Sequence, residues 1–183
     1  YNPGGKLTVT FPKTVGQIPF NFPCKPSSQI DGGKNPGPTG NMSRINGALY
    51  PFGYGLSYTT FEYSDLDITP RVITPNESAT VRLKVTNTGK RAGDEVVQLY
   101  IRDLVGSITR PVRELKGFEK VFLKAGESKT VSFKITPELL RFYDYDLNHV
   151  AEPGDFDVMI GGSSQAEKTC LLYTSPSPRD PKT

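Results

Sequence analysis

The 183-residue chain contains no tryptophan, one histidine (His149) and two cysteines, Cys24 and Cys170. Two cysteines make neither a disulfide framework nor a zinc site. A single histidine leaves no redundancy for a Ser/His/Asp or Cys/His arrangement. Charge of one sign is scarce too. Twenty-two Lys and Arg against 19 Asp and Glu leave a formal net charge of +3. That surplus, with no local basic run, gives no electrostatic footprint for nucleic acid. No apolar run approaches the roughly 18 residues that span a bilayer, so no membrane span is expected. The opening Tyr1-Asn2-Pro3-Gly4-Gly5 lacks a methionine and the basic-then-apolar pattern of a secretion signal, and reads as the start of a piece cut from a longer protein. What is abundant is glycine (18) and proline (16). Helix interiors tolerate neither, which excludes a bundle of long helices.

Along the chain, Lys6 to Pro12 alternates apolar and polar residues and reads as a strand stopped by proline. Pro19 to Asn46 keeps no period. Pro19, Pro23, Pro26, Pro36 and Pro38 alternate there with Gly32, Gly33, Gly37 and Gly40, the pattern of a long irregular connection. Then Leu49 to Phe61 carries five rings, Tyr50, Phe52, Tyr54, Tyr58 and Phe61, broken by Pro51, Gly53 and Gly55. The breakers exclude a helix, and five exposed rings would form a sizeable apolar patch, so this strap is expected to be buried along a kinked path.

From Asp65 the chain changes character. Val81, Leu83 and Val85 alternate with Arg82, Lys84 and Thr86, and Asn87-Thr88-Gly89-Lys90 is a turn. Val97, Leu99 and Ile101 form the next apolar face, with Val96 and Tyr100 opposite; Leu115, Phe118 and Val121 lie in a third apolar run counted with the inward-facing set, and Val131, Phe133 and Ile135 alternate with Ser132, Lys134 and Thr136. Thr136 followed by Pro137 predicts a short helical turn with a threonine N-cap. Glu152-Pro153-Gly154-Asp155 turns into Phe156, Val158 and Ile160. Short strands joined by turn signals, over about 100 residues, predict an all-β, antiparallel β-sandwich. The end, with Pro176, Pro178 and Pro181 at short intervals, is expected to be a disordered tail.

The segment Tyr50-Pro51-Phe52-Gly53-Tyr54-Gly55-Leu56-Ser57-Tyr58 resembles the entry to the C-terminal fibronectin type III-like domain of glycoside hydrolase family 3, the β-glucosidase family. Other stretches resemble that family in the same order. They are Tyr1 to Pro12 (with Thr8 where proline is expected), Val85 to Gly89, Val97 to Tyr100, Arg110 to Lys120, and Ala151 to Phe156. The resemblance runs from Tyr1 to about Gly162. It implies four parts. Residues 1–18 are the end of an α/β sandwich domain, 19–63 a linker with the aromatic strap, and 64–169 the fibronectin type III-like (immunoglobulin-like) sandwich. Residues 170–183 form the disordered tail, whose Cys170 to Asp180 resembles a translated sequencing adapter.

The family hydrolyses β-glycosides with retention, which needs two carboxyl groups about 5–5.5 Å apart. The resemblance implies that both lie upstream of Tyr1. No catalytic, cofactor-binding or metal residue is expected here, and the piece is expected to be inactive by itself. Asp144 with Asp146, and Asp155 with Asp157, are spaced to share a strand face, yet read as turn and solvated positions. His149, beside a turn, reads as a surface residue. Tyr50, Phe52, Tyr54 and Tyr58 suit either a sugar-stacking platform or packing between domains. The kinked path alternates ring directions and favours packing. The implied partners are the upstream catalytic domains of the same chain and a β-glycoside or oligosaccharide substrate, in a periplasmic or secreted parent. The competing reading is a free-standing carbohydrate-binding or adhesion sandwich, since a sandwich alone decides no function.

Overall fold

A computed structural model describes residues 1–17, 21–26, 47–74, 76–166 and 168–174. Most of the Pro19 to Asn46 connection and everything after Thr174 lie outside the described residues.

Two sheets face each other. The smaller holds β3 (Phe61–Thr69), β5 (Ala79–Asn87) and β8 (Ser128–Ile135), in the order β3-β5-β8. The larger holds β4 (Val72–Ile73), β6 (Gly93–Asp103), β7 (Glu114–Leu123), β11 (Gly154–Gly161) and β12 (Lys168–Thr174), in the order β4-β12-β11-β6-β7. Every pairing within them is antiparallel except the two-residue β4–β12 contact, which is parallel. The alternation read from the sequence is the cause. In β5, Ala79, Val81, Leu83 and Val85 are buried, while Arg82 and Lys84 face outward. Val97, Leu99, Val121, Val131, Phe156, Val158 and Ile160 complete one core between the sheets. The sandwich begins at Phe61, three residues before the expected boundary.

At the end of β5, Asn87 explains the Asn-Thr-Gly turn. Its side chain is buried and uses both ends. Nδ2 donates to Arg91 O (2.8 Å) and Leu123 O (3.0 Å), and Oδ1 accepts from Thr59 Oγ1 (2.6 Å) and Gly89 N (3.1 Å). A buried amide so satisfied joins both sheets to the strap.

Four expectations are corrected. The disordered tail does not start at Cys170: Cys170 to Thr174 continue β12, with Cys170 opposite Val158 and Leu172 buried opposite Phe156. The unpaired edge of β11 accepts whatever extended segment follows, and Leu172 falls on the inward parity. Of Lys6 to Pro12, only β1 (Phe11–Pro12) enters a ladder, against β2 (Ala48–Tyr50). Phe118 is not part of an inward face. Phe118 stands opposite Gln98 and three residues from the buried Val121, so the pleat turns it to the outer surface, mostly exposed; the register shift at Leu99/Tyr100 lies beyond it and brings Leu115 to that same face. Helix α1 (Pro137–Leu140) has proline in its first turn as expected, but the Thr136 side chain makes no capping hydrogen bond. A last hairpin joins β9 (Phe142–Tyr143) to β10 (His149–Val150).

Candidate docking site

The N-terminal segment and the strap lie on the sandwich, held by polar side chains that interrupt the apolar pattern of β6. Glu95 shares the inward parity of Val97 and Leu99 and is 5 % exposed. Its carboxylate accepts from Lys6 Nζ (3.1 and 3.2 Å) and from Tyr63 Oη (2.6 Å). Burial, reinforced by the Glu95 charge, pushes the Tyr63 phenol far above its ordinary range, so it stays a donor. Gly162 lies so close that a Cβ there would come within 2.6 Å of Glu95 Oε1. Lys6 thus inserts its ammonium at the mouth of the core. Asn2 adds a second tie, accepting from Tyr58 N (2.8 Å) and donating to Ser57 Oγ (3.0 Å).

Gln98 and Tyr100 point to the opposite, outer face, yet both are buried. The strap covers them. Tyr100 Oη donates to Gln98 Oε1 (2.5 Å), and Gln98 Nε2 donates to Gly53 O (3.1 Å) and Gly162 O (2.8 Å). Burial raises the Tyr100 phenol as well, keeping its proton in place. Gly53 has φ +78°, and a Cβ there would overlap Gln98 Oε1, so the motif needs glycine twice over.

The four strap residues named from the sequence separate into three environments. Phe52 stacks on Phe22 (4.4 Å), which meets Tyr100 edge-on (5.8 Å), and Ser164 N donates to Phe52 O (2.8 Å). Phe52 is therefore half-buried on the sandwich. Tyr50 and Tyr54 lie on the other side, stacked on each other (5.2 Å), with Phe11 edge-on to Tyr50 (6.1 Å). With Leu7 and Leu56 they line a groove of about 510 Å³ that opens to solvent. Tyr58 joins neither group; it is 68 % exposed, with the Arg91 guanidinium 5.9 Å from its ring centre. This split is not one flat platform for a sugar ring.

The carboxylates considered from the sequence lie in a turn and on β11. Asp144 accepts from Asp146 N (2.9 Å) and Asn148 N (2.8 Å), organising the β9–β10 turn. Asp157 stands opposite Arg102 on the outer face of β11. His149 stacks on Tyr143 (4.8 Å), its Nδ1 3.7 Å from Glu138. Sequence reasoning missed Asp103. Its side chain is almost wholly buried, 3.9 Å from Arg110 Nε, and Arg110 also holds Glu114 (2.7 Å). Burial raises the Asp103 carboxyl above its ordinary value. A raised acid suits proton transfer, but among the described residues Asp103 Oδ2 is itself closed to solvent and has no hydrogen-bond partner, while Oδ1 accepts from Val105 N (3.2 Å) at the edge of an open hollow. Among the described residues no cluster of His, Cys, Asp and Glu has the makings of a metal site, and no helix is long and apolar enough to cross a membrane.

Residues 95–164 match the Fibronectin type III-like domain. A periplasmic β-glucosidase of Salmonella typhimurium is 47 % identical over 92 % of this chain and 22 % of its own length. A putative β-xylosidase of Formosa agariphila is 48 % identical over 89 % of this chain and 20 % of its own. Among solved structures, a β-glucosidase of Erythrobacter marinus superimposes with a TM-score of 0.84 at 38 % identity, covering 95 % of this chain and 22 % of that one. The chain therefore spans about a fifth of the length of the curated relatives it matches. A match of that identity over about nine-tenths of the chain shows that it belongs to the glycoside hydrolase family 3, β-glucosidase-like proteins, as a C-terminal, fibronectin type III-like piece.

Proposed function

We propose that the chain is the non-catalytic C-terminal module of a retaining β-glycosidase of the β-glucosidase type, working in the periplasm or outside the cell. The observation that carries this reading is the match of about nine-tenths of the chain, at 46–48 % identity, to one fifth of β-glucosidase and β-xylosidase relatives, one of them periplasmic. Retaining hydrolysis uses a nucleophilic carboxylate and an acid/base carboxyl about 5–5.5 Å apart on either side of the scissile bond. In this reading both belong to the domains preceding residue 1, and the sandwich holds those domains in shape. Residues 1–18 are then the end of the preceding α/β domain and residues 19–63 the linker and strap; of the four strap rings, Tyr50 and Tyr54 are left for packing between the parts, Phe52 is half-buried on the sandwich and Tyr58 is exposed.

The test has two arms. The purified chain should release no nitrophenol from an aryl β-glucoside. A chimaera in which this chain replaces the matching segment of the Salmonella typhimurium enzyme should hydrolyse it. A folded chimaera without activity, or turnover by the isolated chain that is lost on Asp144→Asn or Asp155→Asn, would overturn the reading. A free-standing sugar-binding module would instead bind soluble β-glucan without any partner.

A further inference from the structure

The strap has two sides, and the structure accounts for only one of them. Phe52 is consumed by the sandwich through Phe22, Tyr100 and the Ser164 amide. Tyr50 and Tyr54 are not. Together with Leu7, Phe11 and Leu56 they present an apolar groove of about 510 Å³, in which Phe11 is 44 %, Tyr50 42 % and Leu56 70 % exposed. An apolar patch of this kind on a small domain marks a contact surface.

Its backbone is fixed in advance. Leu7 N donates to Tyr54 O (2.8 Å), Gly53 N donates to Leu7 O (2.8 Å), and Phe11 pairs with Tyr50 across β1–β2. One residue before Leu7, Lys6 is locked into Glu95. The groove is therefore a rigid, preformed surface on the sandwich.

We infer that this groove, and not the strap as a whole, is the seat of the upstream catalytic part of the same polypeptide, which enters it with an apolar surface. The inference rests on the proposed function. Two observations identify the occupant. The relatives carry nearly four-fifths of their length beyond the matched segment. Pro3 and Gly5 form part of the groove's own lining, so any polypeptide joined ahead of Tyr1 emerges at its rim. Among the described residues of that lining Lys6 alone is charged, and it is already paired with Glu95, which leaves no free charge among them to satisfy.

The experiment compares Phe52→Ala with the double change Phe11→Ser/Tyr54→Ser, in the isolated chain and in the Salmonella typhimurium chimaera. In the isolated chain, Phe52→Ala should lower the melting temperature by roughly 4 °C or more, and the double change by clearly less. In the chimaera the double change should lower it by at least as much as Phe52→Ala. Hydroxyl-radical labelling of Tyr50 and Tyr54 should fall several-fold from chain to chimaera, while Phe118 labels equally in both. Equal losses for the two variants in the isolated chain would overturn the inference without any chimaera, because the groove residues would then belong to the chain's own core. Unchanged labelling of Tyr50 and Tyr54 in an active chimaera would overturn it while leaving the proposed function intact. An inactive, folded chimaera in which Tyr50 and Tyr54 are protected would do the reverse.

Discussion

In β5 every second side chain is buried and all of them enter the same core, whereas in the strap Phe52 and Tyr54 also stand two apart and enter different surfaces. A strand's pleat gives one inward side because a sheet faces it. The strap has no sheet of its own. Its residues are sorted by what lies on either side: the Tyr100 face of the large sheet for Phe52, the N-terminal segment for Tyr50 and Tyr54. The sandwich is therefore stabilised by repetition, and the strap by a few specific fastenings, Gln98, Gly53, Asn2 and the Lys6–Glu95 pair. Repetition spreads the effect of any one change, while a fastening concentrates it.

The comparison is open to measurement, beginning with the core. Phe156→Ala, at a site 2 % exposed between the sheets, should cost about 3–5 kcal/mol and be read as a lower urea midpoint with an unchanged slope. A loss below 1 kcal/mol would mean that the core is loosely packed. Next is the ammonium fastening. Lys6→Met leaves a buried carboxylate with Tyr63 alone and should cost about 3 kcal/mol, while Lys6→Met/Glu95→Met should recover more than half of it. If the double variant is no better than the single one, the pair is not the fastening described here. Gly53→Ala forces a side chain into Gln98 at a positive φ and should cost about 2–3 kcal/mol, with hydrogen exchange rising in Leu7 and Tyr54 before it rises in β5. Simultaneous loss of protection would erase the distinction between the two regions.

A smaller effect concerns pH. Burial raises the folded value of Asp103, so its contribution to stability is fully present below its unfolded value of about 3.9 and is lost as the pH rises through its folded value. The stability difference between wild type and Asp103→Asn should therefore favour wild type more at about pH 4 than at about pH 7. A difference that does not vary with pH would place Asp103 in water. Smallest of all, Phe118→Ser on the outer face of β7 should change stability by less than about 0.5 kcal/mol, although it lies in an apolar run with Leu115 and Val121.

Much of the sandwich is legible in local sequence patterns. Val81, Leu83 and Val85, the Asn87–Gly89 turn and the Glu152–Asp155 turn lie where alternation and turn chemistry put them. The failures have different causes. Phe118 stands three residues from the buried Val121, so strand parity turns it outward, while the register shift between β6 and β7, which nothing local records, puts Leu115 on that outer face as well. Cys170 to Thr174 have the look of an unrelated tail, yet β11 offers an unpaired edge, and Leu172 has the right parity to be buried against it. For the docking site, Glu95 and Gln98 are the available signal, polar residues in and beside the apolar run from Val96 to Ile101. Their partners Lys6 and Gly53 lie 89 and 45 residues away, beyond any local pattern.

The amino-acid order by itself determined a glycine- and proline-punctuated chain of short alternating strands, hence a sandwich, and an aromatic strap unable to form an element of its own. It did so because side-chain period and backbone breakers are local properties. Which side of the strap the sandwich keeps and which it leaves for a partner was decided only in three dimensions. That choice depends on Tyr100, Gln98 and Glu95 meeting Phe22, Gly53 and Lys6 across the fold, and on the groove that Tyr50, Tyr54 and Phe11 enclose once those contacts are made.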